Sequence, residues 1–395
     1  MAVIRFPHAF NFGASILAKV DEGGGFQGNK GLSTYDVVKE FDQVDQLNLK
    51  QVLAAVDDVN LAAYPTRTGA DFYHQLAPDL QALAKLGVNQ VLVSLSWARL
   101  FPKGEELSPN EAGLKFYQIL LEKINAVGLE PIVVLGDGAL PLNLSIKYNG
   151  WATRRVVADF NRYANACFDN FGHLVKYWVT FSDVSSVLTS PYLGGGVLLN
   201  QTDMELKYQA FVHQLLASAL VSKNLHEQYP DSKLGYGLSY QVDLSGGTRA
   251  YEQNFHQRLL ADFILKGKYS PLLVASLDKE EIELDLDEMD VETIADSQVD
   301  FIQLDWQATE NLTAVLLELA ERYQLPIIVC DCSVDLQANL GQIGQALARK
   351  VEVAGYFPAV FGKDRLLAVD AEFLRKPTDT YSTYQELVFE RFLKL

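Results

Sequence analysis

The sequence predicts an α/β protein that folds as one (β/α)8 TIM barrel over residues 1–395. Eight short, β-rich apolar runs occur along the chain, and helical patterns with apolar residues three and four apart lie between them. Short Gly, Pro or Asn turns join each helical pattern to the next run, as in LGVNQVLVSL and YQLPIIVC. Eight such units favour closure into a barrel over a sandwich.

Each apolar run is predicted to be a buried barrel strand. The predicted strands are Phe10–Ile16, Gln90–Trp97, Pro131–Asp137, Val175–Asp183, Leu234–Tyr240, Val299–Trp306, Pro326–Ser333 and Val353–Val360. No linker, low-complexity tract or internal duplication divides the chain, so we expect one domain.

Composition and charge exclude several classes of partner. A formal net charge of -17 leaves no basic surplus to replace counterions on nucleic acid or to bind an anionic membrane. No apolar run approaches the roughly 18 residues that span a bilayer. The three cysteines and an N-terminus without the pattern of a secretion signal predict a reducing, cytoplasmic setting.

Two segments stand out by composition. Glycines at 23–31 and 194–196 predict mobile loops, and the first cluster lacks the lysine context of a phosphate-binding loop. The acidic stretch Leu277–Gln298 precedes the sixth strand and is predicted to be solvated surface without a function.

Carboxylates follow or end five of the predicted strands, at the barrel face where active sites lie. They are Glu22, Asp137, Asp183, Asp305 and Asp331. For any one of these acids alone, a role as the N-terminal cap of the next helix explains its position as well as a functional role does. Together they are expected to converge on one mouth, where their repulsion raises at least one pKa.

Cysteines on both sides of Asp331 raise the question of a metal site. Cys330 and Cys332 alternate along the strand and therefore face away from Asp331. Without a CxxC spacing or a nearby histidine, we expect them to pack under a helix rather than to bind metal.

Several blocks, in order from Phe6 nearly to the C-terminus, resemble glycoside hydrolase family 1, the retaining β-glucosidases and 6-phospho-β-glycosidases. FPHAFNFGASILAKVDEGG is similar to the N-terminal block of that family, and DFYHQLAPDLQALAKLGVNQVLVSLSWARLFPKG to its second-strand block. NGWATRRVVADFNRYANACFDNFGHLVKYWVTFSDV resembles the block that leads to the catalytic acid/base. The resemblance implies a barrel with two catalytic carboxylates.

The chain departs from the family at those two carboxylates. The resemblance places Asp183 at the acid/base glutamate, with Ser182 in place of its asparagine, and Asp331 at the nucleophile glutamate. Leu92 stands where the family has an arginine that contacts the nucleophile, and Gln307 where it has a tyrosine. Val20 replaces a sugar-binding glutamine, Asp137-Gly138 replace a His-Trp pair, and the late tryptophans are missing.

These losses predict a pseudoenzyme, because a misplacement of about 1 Å costs a catalyst on the order of a hundredfold. We expect it to bind a small-molecule carbohydrate or sugar phosphate, without a cofactor or metal. The residues predicted to bind the substrate are Glu22, Asp137, Ser182, Asp305 and Gln307.

Two alternatives stay open. One is a slow or inverting β-glycosidase that hydrolyses O-glycosyl bonds, with Asp183 as acid and Asp331 as base or nucleophile. The other is an acidic pocket for a divalent metal or a cationic ligand. The sequence also leaves open whether the protein forms a homo-oligomer.

Overall fold

Eight parallel strands form a closed barrel in this computed structural model, with helices packed around it. The structure describes residues 3–41, 44, 47–198, 203–307, 311–333 and 335–394. The short strands β1 (Val3–Arg5) and β12 (Phe392–Lys394) pair antiparallel and bring the two ends of the described chain together. The (β/α)8 fold predicted from the sequence is confirmed.

The barrel strands follow one another around the barrel in chain order. They are β2 Asn11–Ile16, β3 Gln90–Ser94, β4 Glu130–Gly136, β5 Tyr177–Phe181, β6 Lys233–Leu238, β7 Phe301–Trp306, β8 Ile327–Asp331 and β9 Val353–Pro358. A further short hairpin is formed by β10 Leu367–Val369 and β11 Arg375–Pro377. Each predicted run overlaps one barrel strand. Most runs extend beyond the strand into a loop, because buried apolar residues continue past the last backbone hydrogen bonds of the strand.

Sixteen α-helices occur in the described residues. They are α1 Leu49–Val56, α2 Pro65–Thr68, α3 Phe72–Leu86, α4 Trp97–Leu100, α5 Glu111–Ala126, α6 Leu142–Tyr148, α7 Arg155–Phe171, α8 Ser186–Thr189, α9 Pro191–Gly195, α10 Met204–Gln228, α11 Gly247–Lys266, α12 Pro271–Lys279, α13 Glu288–Ala295, α14 Leu312–Tyr323, α15 Leu336–Ala348 and α16 Asp379–Glu390. None of these helices is both long and apolar enough to cross a membrane.

The barrel interior is a small apolar core, separate from the larger core between the strands and the helices. Its buried members are Leu92, Ile132, Val134, Val179, Phe301, Ile328, Cys330 and Phe357. Gly13 leaves room for the ring of Phe357, since a Cβ atom there would lie 2.2 Å from it. Leu92, which the resemblance aligned with an arginine of the family, is a buried core residue.

The two glycine-rich segments pack tightly against their neighbours. A Cβ atom at Gly31 would lie 1.9 Å from the carbonyl oxygen of Pro102, and one at Gly194 would lie 2.5 Å from the backbone nitrogen of Val187. Glycine is required at these two positions because neighbouring backbone atoms leave no room for a Cβ atom, not because the segments are flexible.

The acidic side chains of the segment are exposed or partly exposed, as its charge predicted, except for Asp290. Asp287 caps α13 through the backbone N–H of Asp290. Asp290 is itself buried, and its carboxylate accepts two hydrogen bonds of 2.5 Å from the guanidinium of Arg154. This ion pair joins the segment to the start of α7.

Candidate functional site

A cavity of about 670 Å³ opens at the carboxyl ends of the barrel strands. Its polar walls come from the turn after β2, from the ends of β4, β5 and β7, and from the loop after β6. The helices α10 and α11 close one side with Tyr208, His256, Leu260 and Ile264. Of the predicted site residues, those that line it are Asp137, Ser182, Asp183, Asp305 and Gln307.

Asp183 lies just beyond β5, and serines surround its carboxylate. Oδ1 accepts hydrogen bonds from the backbone N–H and hydroxyl of Ser185, at 2.9 and 2.6 Å. The backbone N–H of Ser239 also donates to Oδ1 at 3.2 Å, and its hydroxyl donates to Oδ2 at 2.8 Å. Four donors thus hold Asp183 as the link between the loops that follow β5 and β6.

Asp137, at the end of β4, is also fully engaged. Its Oδ2 accepts from the hydroxyl of Ser94 at 2.6 Å and from the backbone N–H of Lys19 at 2.9 Å. Its Oδ1 accepts from the backbone N–H of Ala139 at 3.2 Å. Asp137 therefore fixes the turn after β2 to the neighbouring strands.

Asp305 differs from both of these acids, because Gln307 is the only described residue that donates to it, at 3.1 Å. Burial and the negative charge of Asp183 raise the pKa of Asp305 to about 6, although Lys19 and Gln307 act in the opposite direction. Asp305 is thus the carboxylate in the cavity whose oxygen atoms are open to a ligand.

Lys19 is a cavity residue that sequence reasoning missed. It lies in a π-helical turn, Ala18–Glu22, with its ammonium 5.4 Å from the ring centroid of Tyr35. Burial lowers the pKa of Lys19, but Tyr35, Asp137 and Asp305 more than offset this, so that its pKa is raised and the side chain stays charged. Its position in the turn after the first barrel strand could have indicated this. A search restricted to carboxylates does not find a lysine.

Asp331 lies outside the cavity. Asp305 pairs with Cys330 across β7 and β8, and Trp306 pairs with Asp331. Because paired residues share a face of the sheet, Asp331 points away from the barrel interior. There its carboxylate accepts from the backbone N–H of Ser333 at 2.7 Å, from the side chain of Asn339 on α15 at 2.8 Å, and from the hydroxyl of Tyr356.

The two cysteines also differ from the expectation. Cys330 does face away from Asp331, but it packs inside the barrel, and Asp331 is the residue that lies beneath a helix. Next to it, the guanidinium of Arg365 donates to the backbone carbonyls of Cys332 and Ser333 and fixes the loop after β8. Among the described residues, no group of three or more side chains is arranged to hold a metal ion.

Glu22 also lies outside the cavity. Its carboxylate accepts a hydrogen bond of 2.7 Å from Nε of Arg99 and another from the hydroxyl of Tyr117. All three side chains are buried. The structure thus gathers three of the five carboxylates at one mouth and uses Glu22 and Asp331 in the framework around it.

We expect Asp305→Asn to stabilise the protein. The folded pKa of about 6 exceeds the ordinary value of 3.8, so the folded state holds its proton more tightly and loses stability as the pH rises from about 4 to 6. The variant lacks this loss and should gain about 1–3 kcal/mol in the free energy of unfolding at pH 7.5, and little at pH 4.0. Denaturant titration at both pH values tests this, with the exposed Asp231→Asn as control; an equal gain at both pH values would contradict it.

Comparison with known proteins identifies the lineage. The family model of glycosyl hydrolase family 1 matches residues 2–321. The chain is 37% identical over 238 residues to 6-phospho-beta-glucosidase AscB of Escherichia coli, an alignment that covers 59% of this chain and 50% of that protein. It is 32% identical over 306 residues to the aryl-phospho-beta-D-glucosidase BglH of Bacillus subtilis, covering 75% of this chain and 63% of that protein. The chain thus spans about half to two thirds of these relatives' length.

Solved structures agree with the fold. A β-glucosidase from Thermotoga maritima superimposes with a TM-score of 0.84 at 21% sequence identity, over 99% of this chain and 100% of the other. Because the sequence identity is this low, the superposition shows the shared fold alone. The family assignment rests on the family model, which spans most of the sequence. This chain belongs to glycosyl hydrolase family 1.

Proposed function

We propose that this chain is a non-hydrolytic member of its family that binds a carbohydrate in the cavity at the barrel mouth. The observation that carries the proposal is the position of that cavity. Of the residues that the structure describes, those lining it end at Gln307, so neither β8 nor β9 contributes to it. The strand that bears the family's nucleophile position therefore does not face the cavity.

The two catalytic positions also lack the chemistry that hydrolysis needs. A retaining glycosidase places two carboxyl groups about 5 to 5.5 Å apart, on either side of the bond that is cleaved. Here Asp331 lies on the outer face of its strand, and Asp183 is occupied by four hydrogen-bond donors. Attack on an anomeric carbon would require both side chains to leave these arrangements.

The lining of the cavity suits a polyhydroxylated ligand. Hydroxyl and amide side chains predominate near the carboxylates: Ser182, Ser186, Thr189, Ser190, Gln241, Gln257 and Gln307. Such groups hydrogen-bond to sugar hydroxyls as donors and acceptors. Relatives are named for phosphorylated glycosides, but three carboxylates against one lysine disfavour a phosphate group here. We therefore propose a sugar without a phosphate, in a cytoplasmic setting.

A second candidate function rests on Asp305. A carboxylic acid with a pKa of about 6 donates a proton near neutral pH, and Asp183 lines the same cavity. The pair would make a slow β-glycosidase in which Asp305, rather than Asp331, serves as the second carboxylate.

A turnover assay separates the two candidates. We expect p-nitrophenyl β-glucoside, β-galactoside and their 6-phosphates to release no more p-nitrophenol with the native protein than with Asp183→Ala or Asp305→Ala, because Asp331 does not line the cavity. Glucose and cellobiose should meanwhile give measurable heats of binding. Turnover that both substitutions abolish would overturn the proposal and establish the slow glycosidase.

A further inference from the structure

Two polar side chains that line the cavity near β7, the carboxylate of Asp305 and the hydroxyl of Ser182, have one hydrogen-bond donor or none among the described residues. Asp305 receives one amide donor from Gln307. The hydroxyl of Ser182, a residue only 9% exposed, makes no hydrogen bond with any described residue. These two residues line the cavity, whereas Asp137 and Asp183 are saturated with donors.

A third acceptor lies two residues deeper along the same face of β7. Gln303 donates its amide N–H to the carbonyl oxygen of Ser182 at 3.3 Å, and its own Oε1 is buried without a partner among the described residues. A buried acceptor that lacks a donor costs about 1–3 kcal/mol. The end of β7 therefore carries two side-chain acceptors, on Gln303 and Asp305, that have fewer hydrogen-bond donors than they can accept.

The charges in the cavity point the same way. Asp137, Asp183 and Asp305 face a single lysine, and burial lowers the pKa of the remaining basic group, His256, so that it stays neutral. The ammonium of Lys19 interacts with both Asp137 and Asp305, so one positive charge is shared among three carboxylates. A phosphate offers acceptors and negative charge, both of which the cavity already has in excess.

We propose that the cavity binds a sugar bearing a protonated amine, with the ammonium group seated between Asp305 and Ser182. This inference rests on the proposed carbohydrate-binding function and specifies its ligand. An ammonium group supplies three N–H donors and no acceptor, which matches an open carboxylate beside a free hydroxyl. Its positive charge also offsets the repulsion between Asp305 and Asp183.

Calorimetric titration with four related probes tests the proposal. At pH 7.5 we expect glucosamine to bind about tenfold more tightly than glucose, since a charge-assisted hydrogen bond exceeds a neutral one by about that factor. N-acetylglucosamine, whose nitrogen carries no charge, should lose this advantage, and glucose 6-phosphate should bind more weakly than glucose. Asp305→Asn should bring the ratio of glucosamine to glucose affinity close to one, whereas the exposed Asp231→Asn should leave it unchanged.

The pH dependence supplies a second readout. Burial and the negative charges of Asp183 and Asp331 raise the pKa of Asp305, whereas the positive charge of Lys19 lowers it. As the pH falls below about 6, Asp305 takes up a proton, and the preference for glucosamine should shrink. A preference that persists at pH 5.0 would contradict an ion pair with Asp305.

The outcomes distinguish this inference from the function on which it rests. Glucose binding with no preference for glucosamine overturns the inference and leaves carbohydrate binding in place. Glucosamine binding without any glucose binding supports the inference and narrows the function to amine-bearing sugars. Absence of binding by all four probes overturns both.

Discussion

Replacing Asp331 with alanine is expected to lower the free energy of unfolding by about 3–5 kcal/mol. Asp331 is buried, and its carboxylate accepts hydrogen bonds from Ser333, Asn339 and Tyr356. Alanine leaves these donors without an acceptor and opens a small void between β8 and α15. The urea midpoint measured at pH 7.5 reports the loss, provided that the slope of the transition is unchanged.

Asp335→Ala is the matched control for this experiment. Asp335 is an exposed acid in the same loop, and its side chain caps α15 by accepting from the backbone N–H of Ala338. Its removal should cost about 1 kcal/mol. A catalytic carboxylate is commonly removed with little loss, or a gain, of stability. If Asp331→Ala cost no more than Asp335→Ala, Asp331 would not be the framework residue described above.

Glu22→Ala should be comparably destabilising, by about 3–5 kcal/mol, because it leaves a buried charge without its partner. The side chains of Arg99 and Glu22 are 1% and 4% exposed. The guanidinium also donates to the carbonyl oxygens of Gly23 and Gln27, so it holds the glycine-rich segment in place. Denaturant unfolding of the variant measures the cost.

A partly exposed ion pair provides the comparison. Lys147 and Glu105 lie 2.9 Å apart, but the lysine is half exposed. Glu105→Ala should therefore cost only about 0–1 kcal/mol. Equal losses for Glu22→Ala and Glu105→Ala would show that the Arg99 pair contributes no more than a surface contact.

Much of the fold was predictable because barrel strands are buried on both faces. Runs such as Pro326–Ser333 are almost wholly apolar, and the alternation with amphipathic helices located all eight strands. The residues at which the strands begin and end were predicted less accurately than the presence of the strands. Val175–Asp183 was predicted where Tyr177–Phe181 forms the ladder, since apolar composition continues into the loop.

The candidate site was predicted in part. Asp137, Ser182, Asp183, Asp305 and Gln307 line one cavity, as expected of residues at the ends of parallel strands. Their roles in binding remain predictions. Lys19 was missed, although it also follows a strand.

The sequence by itself determined the family and the barrel. Only the tertiary structure decided which acids face the cavity. In IIVCD every residue of the strand is buried, so no alternation of polar and apolar residues reveals which face Asp331 occupies. The pairing of β7 with β8 settles it, because neighbours in register share a face: Asp305 goes with Cys330 to the inside, and Asp331 with Trp306 to the outside.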